Sequence, residues 1–109
     1  MIYIIRLHGF DRDMDVVKIG HSRYPDIRYK SLKWFIAAHD GRRVEIEVLR
    51  ELRDRPAGEG IFHTRFRDYR LFREYFRFHE DMLTFNPKGY RRKMVDGVLE
   101  LIQPQRRAA

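Results

Sequence analysis

Residues 1–20, MIYIIRLHGFDRDMDVVKIG, contain two apolar segments separated by a polar turn. In Met1–Leu7, β-branched and aromatic residues fill both alternating faces, which is typical of a strand. The aspartate-rich segment His8–Asp15 predicts a turn, and Val16–Ile19 predicts a second short strand that Gly20 ends. Because so few residues separate the two strands, we expect them to pair as an antiparallel hairpin.

A helix and a third strand are predicted to follow this hairpin. Pro25 and Asp26 favour the first turn of a helix that ends near Asp40. Val44–Val48 alternates apolar residues with glutamates, which is typical of a strand with one solvent-exposed face. The side chains expected to face the core from the helix share its periodicity: Ile27, Ser31, Trp34, Phe35 and Ala38.

The second half of the chain is interpreted as mostly helical. A helix is predicted from Glu59 to about Arg70, a further helical turn over Glu80–Phe85, and a last helix over Tyr90–Ile102. The order β-β-α-β-α-α predicts a small α+β domain with a three-stranded, mostly antiparallel sheet flanked by helices. Residues 1–103 are expected to form one domain, and residues 104–109 a flexible tail.

Composition excludes several classes of protein. The 109 residues include no cysteine, which excludes disulfides, thiolate metal sites and cysteine nucleophiles. No apolar run approaches the roughly 18 residues that a membrane span needs. The first residues do not have the pattern of a signal peptide. A cytoplasmic protein without a membrane partner is therefore expected, acting near the nucleoid or, if phage-encoded, in the host cytoplasm.

The net charge of +7 indicates a polyanionic partner. Arginine binds phosphate through two parallel hydrogen bonds and stacks on bases, so nucleic acid, DNA or alternatively RNA, is the expected partner. An ordinary arginine-rich surface without such a partner explains the same charge and stays open as the alternative. In Phe62–Phe78, aromatic residues alternate with arginines; we expect Phe62, Phe66 and Tyr69 to pack in the core. The arginines expected to contact phosphate or solvent are Arg65, Arg67, Arg70, Arg73 and Arg77.

Four segments carry groups that phosphodiester cleavage needs. Cleavage requires a carboxylate to hold a metal ion, a cation to stabilise developing charge and a group to orient water. Tyr3 on the first strand, Lys18 on the second, Arg28 on the first helix and Glu59 at the start of the second could supply them.

Together these segments resemble the GIY-YIG nuclease superfamily. Ile2-Tyr3-Ile4 is similar to its first motif, with Met1 where glycine usually stands; Lys18-Ile19-Gly20 is similar to the second, with lysine in place of tyrosine. Arg28 falls where the superfamily places a helical arginine. A second signature, Glu59, His63, Phe66 and then Glu74-Tyr75-Phe76, resembles the short phage and bacterial branch related to the meiotically up-regulated fungal gene group.

The resemblance implies a role for each matched residue. Glu59 would hold a single Mg²⁺ or Mn²⁺ ion, Arg28 would bind the scissile phosphate, and Tyr3 would position water. Lys18 would supply charge in place of the second tyrosine, which leaves the general base open. His63 would orient Glu59, contact phosphate or act as a base. His21 and Arg23 follow the second motif and are counted with the nucleic-acid contacts. The implied function is a metal-dependent DNA endonuclease.

Simpler interpretations stay open for the same residues. Tyr3 and Trp34 could be core residues, Lys18 and His21 surface residues, and Glu59 an acid stabilised by the helix dipole. Glu74-Tyr75-Phe76 is expected to pack at the sheet edge. At the level of the whole protein, the alternatives are a non-catalytic nucleic-acid-binding module on the same fold and a small protein whose basic face binds an acidic partner.

Overall fold

The structure, a computed structural model, describes residues 1–104. The tail predicted for residues 104–109 therefore lies outside the described residues from position 105 onward. Two 3₁₀ turns cover Arg67–Tyr69 and Glu80–Leu83. The strands and helices are, in chain order, β1 (Ile2–His8), β2 (Val16–His21), α1 (Pro25–Asp40), β3 (Glu45–Leu52), α2 (Pro56–Arg65), β4 (Arg70–Phe72), β5 (Tyr75–Arg77), β6 (Arg91–Val95) and β7 (Val98–Ile102).

The α+β class and the β1–β2 hairpin are confirmed, but the main sheet has five strands rather than three. Its order is β3-β1-β2-β5-β4, with every pair antiparallel. The two unpredicted strands form a hairpin whose turn contains Arg73 at a φ of 47°. The helix predicted from Glu59 to about Arg70 differs at both ends: α2 covers Pro56–Arg65, a 3₁₀ turn follows over Arg67–Tyr69, and the hairpin begins at Arg70. The hairpin places Glu74-Tyr75-Phe76 beside β2, inside the sheet, and leaves β4 at the edge.

The inner strand β1, between β3 and β2, is buried on both faces because the two helices lie on opposite sides of the sheet. Ile2 and Ile4 belong to the cluster on the α2 side, which includes Phe62 and Phe66 as predicted. The cluster on the α1 side is Tyr3, Ile5, Leu7, Val16, Leu32, Ile36 and Val44. This double burial explains why β1 is an almost continuous apolar run.

Helix α1 packs on the sheet through a face different from the predicted one. Its buried residues are Leu32 and Ile36, one turn apart. Trp34 is 71% exposed and Phe35 54% exposed, so the prediction that these rings are core residues is wrong. The helix contacts the sheet only along the narrow strip that Leu32 and Ile36 form. Trp34 and Phe35 have the spacing that predicts a buried face, but they lie outside this strip.

The last helix predicted, over Tyr90–Ile102, is wrong: this segment is the hairpin β6–β7. Its turn residues Asp96 and Gly97 both have positive φ, 49° and 80°. Asp-Gly between apolar residues is a strong hairpin signal, and here it prevails over helical spacing. Within residues 1–104, no helix is both long and apolar enough to cross a membrane.

Candidate active site

Tyr3 and Lys18 come together because β1 and β2 are adjacent. Tyr3 pairs with Gly20 across the hairpin, and Lys18 Nζ donates a hydrogen bond of 3.0 Å to Tyr3 Oη. The Tyr3 ring lies over Gly20, where a Cβ atom would stand 2.5 Å from Tyr3 Cζ. Glycine at this position therefore leaves room for the phenol to reach Lys18.

Glu74 joins this pair from the turn between β4 and β5. Its Oε2 atom lies 2.6 Å from Lys18 Nζ, and its backbone carbonyl accepts a hydrogen bond from the Ile19 amide. Burial raises the pKa of Glu74, but the hydrogen bond and the charge of Lys18 outweigh it and hold that pKa below its ordinary value. Sequence analysis did not include Glu74 among the site residues.

Glu59 reaches the same place from the first turn of α2. Burial, followed by a hydrogen bond to Glu74 and the negative charge of that group, raises the pKa of Glu59 to about 7. The positive charges of Lys18 and Arg28 act in the opposite direction. Two carboxyl groups thus lie beside two cations. Additional positive charge near Glu59 would lower its pKa and favour loss of its proton.

His63 lies one helical turn after Glu59 and is anchored to the sheet. Its Nε2 atom is 2.9 Å from the Ile19 carbonyl oxygen, to which it donates, and 3.7 Å from Glu59 Oε1. Burial lowers the pKa of His63, which favours the neutral ring. Because Nε2 already donates to backbone, this geometry supports a positioning role better than that of a general base.

Arg28 completes the group from α1. It lines a cleft of about 460 Å³ together with Lys18, Glu74 and Arg73, which the sequence predicts as a phosphate contact. The cleft is therefore lined by positively charged side chains and by Glu74, one of the two carboxylates of the pair. The structure brings together all five residues that the sequence suggested for catalysis: Tyr3, Lys18, Arg28, Glu59 and His63.

The residues suggested for nucleic-acid binding are more scattered. His21 Nε2 lies 3.2 Å from the Asp54 carbonyl oxygen, Arg23 lies over the Tyr24 ring, and Arg77 is exposed on β5. Three others make contacts within the chain: Arg65 pairs with Asp81, Arg67 donates to the Leu99 carbonyl, and Arg70 donates to the Arg73 carbonyl. Arg73 alone among them lines the cleft.

The carboxyl pair fits a hard divalent cation. Among residues 1–104, no three His, Cys, Asp or Glu side chains enclose a position for a metal ion. Mg²⁺ does not need such an enclosure, because one or two carboxylates, waters and substrate phosphates commonly complete its shell. Glu59 and Glu74 offer carboxylate oxygens, and burial first, then the hydrogen bond to Glu74 and its negative charge, raise the pKa of Glu59. A cation there would relieve the repulsion between these two groups.

A five-stranded sheet between two helices, with a pair of carboxyl groups beside a cleft that two arginines and a lysine line, defines a small α+β domain. The chain belongs to the T5orf172 domain family, whose model matches residues 1–98. This family is associated with nucleases. Neither the curated proteins nor the solved structures contain a match to this chain.

Proposed function

We propose that this protein is a divalent-metal-dependent endonuclease of GIY-YIG type that hydrolyses phosphodiester bonds in DNA. The observation that carries the proposal is that Glu59 and Glu74 lie together beside Lys18 and Arg28, next to a cleft that Lys18, Arg28 and Glu74 line. Carboxylates alone would repel a phosphate and cations alone would only bind it, so the combination suits a site that holds both a metal ion and a phosphate.

Each side chain has a task in this proposal. Glu59, with Glu74 beside it, would hold Mg²⁺ or Mn²⁺, which would supply charge neutralisation at the phosphate. Arg28 binds the scissile phosphate. Tyr3 Oη accepts a hydrogen bond from Lys18 and, with Glu74, fixes the position of that ammonium group; its own hydroxyl proton would position water. Lys18 adds positive charge, and His63 fixes the first turn of α2 against β2.

A non-catalytic nucleic-acid-binding module is the second candidate. The observation that favours it is the 2.6 Å ion pair between Lys18 and Glu74, which already neutralises one carboxylate without a metal ion. In such a module the cleft would bind phosphate, and Glu59 would contribute nothing to affinity.

Cleavage and binding measurements on Glu59→Gln separate the two candidates. The substrates are supercoiled plasmid, linear duplex and branched DNA with Mg²⁺ or Mn²⁺, and Glu80→Gln, an exposed site on a 3₁₀ turn, is the matched control. We expect Glu59→Gln to slow cleavage roughly 10²-fold or more while retaining DNA affinity, and Glu80→Gln to cleave like the parent. Unchanged cleavage would exclude Glu59 as the metal ligand. Tight binding by the parent without any cleavage would favour the non-catalytic module.

A further inference from the structure

The cleft beside the carboxyl pair is lined by two kinds of side chain. Arg28 on α1 and Arg73 between β4 and β5 are basic, whereas Phe35 on α1 and Tyr75 on β5 are aromatic. A site that bound only the phosphates of a duplex would need the arginines but not the rings, because the bases of a duplex are paired and stacked inside it. The aromatic side chains therefore call for a different explanation.

Phe35 is the more exposed of the two rings. Its side chain is 54% exposed, since α1 packs on the sheet through Leu32 and Ile36 and turns Phe35 toward the cleft. The Phe35 ring lies 4.2 Å from the His39 ring between centroids, so one neighbour on the same helix supports it. A large ring placed this way keeps most of one face available.

Tyr75 forms a firm second surface of the cleft. It is half-buried in strand β5, and its ring forms a cluster with those of Phe10, at 5.2 Å between centroids, and Phe72, at 4.8 Å, which lie 6.3 Å from each other. The cleft volume of about 460 Å³ lies between this fixed ring, Phe35 and the two arginines. Aromatic rings interleaved with arginines suit a polyanion whose repeating units have π faces, which describes single-stranded nucleic acid.

We propose that this cleft binds an unpaired nucleobase of the substrate, stacked on Phe35, while Arg28 and Arg73 contact the adjoining phosphates. This inference rests on the proposed nuclease function and specifies its substrate class: nucleic acid with a single-stranded or displaced nucleotide next to the phosphate at the carboxyl pair. Stacking on a side chain requires a base outside the helical stack, so a continuous blunt duplex does not fill the cleft.

The test compares three DNA ligands of matched length without divalent metal: a single strand, a blunt duplex, and a duplex with a single-stranded overhang. Dissociation constants are measured for the parent, Phe35→Leu and Phe35→Tyr. Leucine keeps an apolar side chain without a ring, whereas tyrosine keeps the ring. We expect Phe35→Leu to bind the overhang duplex and the single strand roughly tenfold more weakly, with less than about a twofold change for the blunt duplex. Phe35→Tyr should bind like the parent.

Two matched controls locate the effect at a base. Ile27→Ala changes another exposed apolar residue of α1, one that does not line the cleft, and should bind all three ligands like the parent. Abasic nucleotides in the overhang keep the phosphates but remove the stacking partner. They should weaken parent binding as much as Phe35→Leu does, and combining both changes should add little, because each removes the same contact.

The results that would overturn the inference differ from those that would overturn the function. Equal losses for blunt and overhang duplexes in Phe35→Leu, or an overhang in which abasic sites change nothing, would exclude base stacking while leaving a duplex-cleaving nuclease intact. No binding to any of the three ligands by the parent would overturn both proposals and favour an acidic protein partner.

Discussion

The ammonium group of Lys18 lies 2.6 Å from a carboxylate oxygen of Glu74, inside a side-chain environment that leaves Lys18 only 11% exposed. Burial lowers the pKa of Lys18, yet the hydrogen bonds to Glu74 and Tyr3 outweigh it and raise that pKa above its ordinary value. Lys18 therefore stays charged at neutral pH. Glu74 thus keeps Lys18, which stands where the related motif has a tyrosine, charged and fixed in position.

Removing the ammonium group should destabilise the protein. In Lys18→Met, Glu74 would keep its negative charge beside Glu59 without the nearest cation. Because Glu74 is partly exposed, we expect a loss of about 1–3 kcal/mol in the free energy of unfolding, measured by urea denaturation at neutral pH. Lys33→Met is the matched control, since Lys33 and Glu45 form an ion pair of 3.1 Å between exposed side chains. That change should cost less than about 1 kcal/mol. Equal losses for the two variants would contradict a special role for the buried pair.

The close approach of Tyr3 to Gly20 gives a second prediction. A methyl group at Gly20 would stand 2.5 Å from Tyr3 Cζ, and Tyr3 is only 1% exposed, so the ring has little room to move. We expect Gly20→Ala to reduce stability by about 1–3 kcal/mol through overpacking. The same substitution in a Tyr3→Leu background should cost less, because the shorter side chain leaves space. The measurement is a double-mutant cycle by urea denaturation, and strict additivity would show that the two residues do not compete for the same volume.

The sequence predicted the centre of the fold well and its periphery poorly. β1 and β2 were predictable because their apolar residues continue on both faces and a short polar turn joins them. The buried face of α1 could not be predicted from the sequence. Trp34 and Phe35 have the spacing of core residues, but the buried residues of this helix are Leu32 and Ile36. Which face a helix buries depends on its neighbours in space, and local periodicity does not contain that information.

In the candidate site, too, the contacts that are local in sequence were predictable and the long-range ones were not. Tyr3 and Lys18 could be placed together from sequence because β1 and β2 pair through a local hairpin. Glu74 could not be placed beside them from sequence, because its position depends on the pairing of β5 with β2. That pairing aligns Lys18 with Tyr75, residues separated by more than half the length of the chain. By itself, the motif Glu74-Tyr75-Phe76 predicts packing at the sheet edge. Only the register of β5 makes it part of the site.

Arg67 is expected to stabilise the β6–β7 hairpin. It donates a hydrogen bond of 2.6 Å to the Leu99 carbonyl and pairs with Glu100 at 3.5 Å. We expect Arg67→Ala to raise amide hydrogen exchange across Arg91–Ile102 about three- to tenfold, with little change in global stability. Arg77→Ala, an exposed arginine on the main sheet, is the control and should leave exchange in the hairpin unchanged. Parent-like exchange in Arg67→Ala would mean that the hairpin is held by its contacts with α2 alone.

Arg28 should contribute to both binding and cleavage, because it lines the cleft and its charge acts on Glu59. For Arg28→Gln, we expect the slope of log affinity for DNA against log salt to become shallower by about 0.9, as loss of one phosphate contact releases one fewer counterion. Cleavage should slow roughly 10²-fold, since a cation that stabilises developing charge is lost. Lys30→Gln, an exposed position on α1 that does not line the cleft, is the matched control. The measurements are affinities over a salt series and single-turnover cleavage in Mg²⁺.

If Arg28→Gln kept the parent's salt slope but lost cleavage, Arg28 would act on the reaction without holding the phosphate in the ground state. A loss of affinity equal to that of Lys30→Gln would leave it as one surface charge among many.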